Sequence, residues 1–271
     1  MLLSSSTSAV HSTVTEVFTE AASTDVEAAG LAIAVALVAC GTVLRTRDSR
    51  TNGTIFSALG YGFAVLVLAV AVHSNGALTG ADAPVAQWFL DHRNSTLDHL
   101  AIAITTAGGP PETAALGILV AVVLIWRTKR YGPALVLLAT VAAASILCSA
   151  LKLIVGRERP PLSIQLMLET DPSFPSGHVT GSAALLLMIA LIVSARRPTA
   201  VRVLFLGIAL AITVVVACTR MYLGVHWLTD VCAGALIAAF MVTLGGYALH
   251  RLDTATTDES TLTRHVSQVA R

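Results

Sequence analysis

Apolar residues fall into seven runs separated by short polar stretches, at about 28–44, 55–73, 113–126, 134–151, 179–195, 203–218 and 227–249. Crossing a bilayer takes about 20 apolar residues in a helix, and these runs reach or approach that length. The third is the shortest and can be lengthened by its polar flank. The pattern predicts an all-α, polytopic membrane helix bundle. Alanine and glycine recur within the runs, which suits close helix packing in lipid. The connection from 74 to 112 is unusually long, and mixed apolar spacing at 85–104 predicts one or two interfacial helices within it. His92 and His99 lie seven apart there and could share a helical face, but with no third ligand nearby they read as surface histidines. No internal repeat is visible.

Composition supports the membrane reading. Of 271 residues, 55% are hydrophobic and 12% charged, with a mean hydropathy of +0.77. A soluble domain carries about 25% charged residues, twice this fraction. A net charge of +1 without any concentration of Lys and Arg excludes a nucleic-acid-binding face. Cys40, Cys148, Cys218 and Cys232 all sit in apolar runs without metal or disulfide spacing and read as small buried hydrophobes. Residues 1–27 carry four acids and no Lys or Arg, so they lack the basic start of a secretory signal and read as a polar tail.

The basic residues orient the bundle. Arg45, Arg47 and Arg50 form one group; Arg127, Lys129 and Arg130 another; Arg196, Arg197 and Arg202 a third; Arg251, Arg264 and Arg271 a fourth. With seven spans these four groups share one side, which the positive-inside rule makes cytoplasmic. The other five, Arg93, Lys152, Arg157, Arg159 and Arg220, fall on the opposite side. The expectation is an extracytoplasmic N-terminus and a cytoplasmic C-terminus.

Four of those five outward cations flank two further polar features. Pro175-Ser176-Gly177-His178 precedes an apolar run, so Ser176 is placed to cap a helix with its hydroxyl. The amides of Gly177 and His178 would then face outward at a positive helix end, a place suited to phosphate. Alone, the tetrapeptide is equally well a loop-to-helix junction. His226 and Asp230 are four apart at the start of the seventh run, where a helix would stack them on one face. A carboxylate on one imidazole nitrogen frees the other as a nucleophile. Taken alone, this pair also fits a structural helix cap. In company with a second histidine, Lys152 and several arginines on one face, the catalytic reading prevails.

Lys152-x6-Arg159-Pro160, Pro175-Ser176-Gly177-His178 and Thr219-Arg220-x5-His226-x3-Asp230 together resemble the three-part signature of the type-2 phosphatidic acid phosphatase and vanadium haloperoxidase superfamily. Thr219 stands where that family usually has serine. The resemblance implies a six-helix membrane phosphatase core at 51–250, preceded by a polar extracytoplasmic tail (1–27) and an extra membrane helix with its basic loop (28–50). A cytoplasmic tail (251–271) follows. It further implies His226 as nucleophile oriented by Asp230, and His178 as general acid. Lys152, Arg159, Ser176, Gly177 and Arg220 would hold the phosphate. Arg157 is outside the signature and reads as a peripheral contact.

The expected activity is hydrolysis of a lipid phosphate from the outer leaflet through a phosphohistidine, with no metal and no other cofactor. Substrate classes in keeping with it are polyprenyl pyrophosphates such as undecaprenyl pyrophosphate, phosphatidylglycerophosphate and phosphatidate. A phosphotransferase with the same residues, or a non-enzymatic lipid-binding or transport protein, are the alternatives. The sequence does not specify an oligomeric state.

Overall fold

In a computed structural model, described at residues 23–46 and 49–269 (side chains at 23–45 and 49–255), the chain is a bundle of α-helices. Among the described residues, seven helices are long and apolar enough to cross a membrane. They are α1 (Thr24–Thr46), α2 (Arg50–Ser74), α5 (Pro110–Thr128), α6 (Gly132–Val155), α7 (Gly177–Ser194), α8 (Thr199–Tyr222) and α9 (Leu228–Val269). The long connection after α2 holds a 3₁₀ turn at Ala77–Ala81 and two shorter helices, α3 (Asp82–Asp91) and α4 (Ser95–Ala107). His92 closes α3 and His99 belongs to α4, so the two histidines do not share a helix.

Each predicted run appears as a helix, with boundaries set by local chemistry. Prolines at the first turns of α5 and α6 start those helices where no backbone donor is required. Lys129 and Gly156, both left-handed, close α5 and α6. The last helix departs from expectation. It continues past the seventh run to Val269, although only Leu228–Ala255 is apolar enough to span. Residues 251–269 contain neither Gly nor Pro, so nothing stops the helix when hydrophobicity ends. Residues 1–22 and the side chains of Arg264 and Arg271 lie outside the described residues, as does Arg47.

Two helices form the centre. α9 packs against α2, α6 and α7, while α7 also touches α5 and α8; α1 packs chiefly on α2. The interior is built from small residues, among them Ala71, Ala144, Ala184, Ala233 and Ala238. Large aliphatics such as Ile146, Leu153 and Ile154 point outward. This inverts a soluble core, because lipid solvates leucine as well as a neighbouring helix does and small residues let backbones approach. Gly234 shows the consequence: a Cβ there would come within 2.7 Å of the Ser176 carbonyl oxygen. The α7–α9 contact thus requires glycine at the point where both helices begin.

Candidate active site

The ends of α6 and α8 and the starts of α7 and α9 meet at one end of the bundle. A cavity of about 240 Å³ opens among them, lined by Lys152, Arg159, Gly177, His178 and His226, with Glu169 and Asp171 from the loop before α7. Asp230 adjoins it through His226, and Arg220 through His178. Ser176 directly precedes α7. The eight residues singled out in the sequence therefore come together, although they span 152–230.

His226 is delivered by the turn between α8 and α9. Gly224 adopts φ +71°, and a Cβ there would meet the Ile164 carbonyl oxygen at 2.5 Å, so only glycine makes this turn against the facing loop. His226 precedes α9 instead of lying on it, which corrects the expectation that it shares a helical face with Asp230. Asp230 sits in the first turn and reaches back, its Oδ2 accepting from the Trp227 amide at 2.9 Å and lying 3.3 Å from His226 Nδ1. This is one half of a capping box, a side chain in the first turn accepting from the N-cap amide, and the same carboxylate serves helix and histidine. Arg159 Nη1 donates to His226 Nε2 at 3.3 Å; guanidinium cannot accept, so Nε2 carries the lone pair and Nδ1 holds the proton toward Asp230. Burial lowers the imidazole pKa from 6.5 to about 4, opposed by Asp230 and aided by the positive charge of Arg220 and Arg159.

The cations are matched by two carboxylates that sequence reasoning passed over. Lys152 lies 2.9 Å from Asp171 and donates to the Pro172 carbonyl. Arg159 donates to the Asp171 carboxylate and backbone carbonyl, each at 2.7 Å, and to the Val225 carbonyl at 2.7 Å. Arg220, wholly buried, donates to Glu169 at 2.5 Å, to Thr105 Oγ1 at 2.8 Å and to His178 Nε2 at 3.3 Å. Burial alone would raise the carboxyl pKa of Asp171, but Lys152 and Arg159 outweigh it and hold the group at about 2. Burial likewise opposes ionisation of Glu169, and Arg220 with Arg159 reverses the effect, so its pKa falls below the ordinary value. Two acids two residues apart, in a loop leading to a phosphate-type motif, were the available sequence signal.

At the start of α7 the structure corrects one detail. Ser176 occupies the N-cap position, and its carbonyl accepts from the Thr180 amide at 3.0 Å, but its hydroxyl makes no capping bond. Its amide is tied to the Asp230 carbonyl at 3.0 Å, so α9 sets the residue's orientation. The buried Oγ has no hydrogen-bond partner among the described residues. A Cβ at Gly177 would meet only Cys148 Sγ, at 3.9 Å, so the glycine leaves room beside it.

Arg157 is not peripheral. It forks between Asp230 (2.6 Å) and Asp82 (2.5 Å) and also donates to Thr229 Oγ1 at 2.7 Å. Asp82, buried at the start of α3, accepts from the Thr229 amide and hydroxyl at 2.9 and 2.7 Å. Sequence spacing could not reveal this contact, because Asp82 lies 75 residues before Arg157.

Both the helical frame and the site point to a phosphatase of lipid substrates built into the bilayer. The PAP2 superfamily profile matches residues 133–252, which contain all eight residues. Phosphatidylglycerophosphatase B of Bacillus subtilis is 30% identical over 182 residues, covering 65% of this chain and 88% of the relative. The crystal structure of a transmembrane PAP2-type phosphatidylglycerolphosphate phosphatase from Bacillus subtilis superposes with a TM-score of 0.67 at 26% identity, covering 72% of this chain and 96% of that one. The chain belongs to the PAP2 superfamily. It is a multi-pass membrane lipid phosphatase.

Proposed function

We propose that the protein hydrolyses the terminal phosphate of a membrane lipid through a phosphohistidine on His226. The observation that carries this is the polarity of His226: Asp230 faces Nδ1, while Nε2 lies beside Arg159 at the cavity. The incoming phosphate displaces Glu169 and Asp171 from Lys152, Arg159 and Arg220, which then hold its oxygens together with Ser176 Oγ and the Gly177 amide. The Nε2 lone pair attacks phosphorus as the P–O bond to the lipid breaks; His178, whose Nε2 is protonated once Arg220 turns from it to the phosphate, gives that proton to the departing oxygen. Water then attacks phosphorus, the P–N bond returns its electrons to Nε2, and His178 takes up the water proton.

Phosphatidylglycerophosphate is the first substrate to test, by likeness to the Bacillus subtilis relatives; polyprenyl pyrophosphates and phosphatidate are the other classes. We place the site on the extracytoplasmic face, with substrate arriving from the outer leaflet, because Arg45, Arg50, Arg127, Lys129, Arg130, Arg196, Arg197 and Arg202 lie toward the opposite helix ends. The phosphatase core is assigned to 51–250, with α1 as an added helix packed on α2. Cations take the place of metal in this scheme.

Purified protein is expected to release inorganic phosphate equally with and without EDTA, and His226→Ala to release none. A phosphorylated intermediate, stable to base and labile to acid, should accumulate in wild type after rapid quench. Turnover by His226→Ala would remove the nucleophile assignment.

A further inference from the structure

Two cavities lie at the end of the bundle remote from His226, and they share a wall. One, of about 610 Å³, is bounded by Arg45 at the end of α1, Arg50 at the start of α2, and His250 and Arg251 on α9. The other, of about 650 Å³, runs between α2 and α9 past Ile55, Leu59, Phe63, Phe240 and Leu244. Thr51 and Tyr247 line both, with their hydroxyl oxygens 3.0 Å apart. A basic mouth thus opens directly into an apolar groove.

The mouth is held in shape by the α1–α2 hairpin. A Cβ at Gly53 would come within 2.5 Å of Arg45 Cγ, so the stem of Arg45 lies flat on α2. Arg45, Arg50 and Arg251 make no ion pair among the described residues, unlike the paired cations at the active site. Three clustered guanidinium groups without an acidic partner among the described residues favour an anion bearing several oxygens. The groove adds a second requirement. From Thr51 to Leu66 it follows sixteen residues of α2, about 22 Å of helix rise. One leaflet supplies about 15 Å of hydrocarbon depth, so an acyl chain attached to an anion in the mouth can lie along it. A soluble anion would fill only the mouth and leave the groove without an occupant.

We propose that these cavities form a binding site for an anionic phospholipid, separate from the catalytic centre. Its phosphodiester sits among Arg45, Arg50 and Arg251, and one acyl chain follows the α2–α9 groove. The ligand resides in the leaflet at the end opposite the active site. The proposal does not depend on the catalytic assignments above.

The test uses the full chain in detergent, with melting temperature read after adding phosphatidylserine, phosphatidylcholine or inorganic phosphate. Phosphatidylserine is a phosphodiester and offers no terminal phosphate to hydrolyse. It is expected to raise Tm by about 3 °C over phosphatidylcholine, as a ligand confined to the folded state does. The Arg45→Gln/Arg50→Gln/Arg251→Gln variant should lose that increment. So should Gly62→Leu, which adds bulk where a Cβ would have Phe240 Cε2 as its nearest neighbour at 3.8 Å. Gly62→Leu keeps every charge and so reports on the groove even where the triple variant folds poorly. An increment that survives in both variants, an equal effect of phosphatidylcholine, or the same shift from inorganic phosphate would overturn the proposal.

Discussion

His226 acquires its character from neighbours on three different elements. Asp230 faces Nδ1 from the first turn of α9, Arg159 faces Nε2 from the loop after α6, and burial disfavours the imidazolium. These effects make a pH prediction. With His226 as the proposed nucleophile, protonation of the free imidazole would block attack, and burial holds its pKa down to about 4, so the acid limb of log kcat/KM should bend near pH 4 and not near 6.5. A bend at pH 6 or above would sink this account of the nucleophile. Stability carries the same sign. Between pH 6.5 and about 4 the unfolded histidine binds a proton that the folded one refuses, so falling pH favours unfolding in that window. Asp171 adds a lower window: its pKa is depressed from 3.8 to about 2, so the stability from its pairs with Lys152 and Arg159 is present above pH 3.8 and is lost below it.

Helices and loops carry those side chains, and two contacts fix how they meet. Arg157 joins α3 to α9 by bridging Asp82 and Asp230, both buried. Arg157→Ala leaves two buried carboxylates without their cation, a change that destabilises by about 3–5 kcal/mol. Chemical denaturation should show that loss, and kcat should fall further than stability alone explains because Asp230 is freed to turn from His226. The second contact is the crossing of α7 and α9. Gly234→Val would drive the Ser176 carbonyl away from α9 and displace Gly177 and His178 with it. A misplacement of about 1 Å at such a site costs about a hundredfold in rate. Phosphate release by the folded variant, set against wild type, measures this; an unchanged rate would show that the crossing does not position the site.

Across the whole molecule, charge separates the two ends. The helix ends bearing His178 and His226 hold cations paired with acids, while the opposite ends hold, besides the Arg130–Asp253 pair, Arg45, Arg50 and Arg251, which have no acidic partner among the described residues. Single cysteines introduced at residue 130 and at residue 163, in a chain with its own four cysteines replaced, should be labelled from opposite sides of sealed cells. Residue 163 is expected to react with a membrane-impermeant reagent from outside; reaction of residue 130 instead would invert the topology.

Much of this protein was legible along the chain because its signals are local. A run of apolar residues makes a spanning helix wherever it occurs, so the seven spans followed from hydrophobicity alone. Lys152, Arg159, His178, Arg220, His226 and Asp230 stood out because charges are rare beside such runs and their spacing is distinctive. What the sequence left undecided depends on which distant groups touch. Asp82 reaches Arg157 across 75 residues, Glu169 reaches Arg220 across 51, and the Asp230 carbonyl holds the Ser176 amide. Tertiary structure alone turned Arg157 from a peripheral charge into a buried bridge and left the Ser176 hydroxyl uncapping. It also moved His226 off the helix. Hydrophobic pattern determines which segments span and which residues can do chemistry, but hydrogen-bond partners in a buried polar network are set by three-dimensional proximity, on which linear spacing is silent.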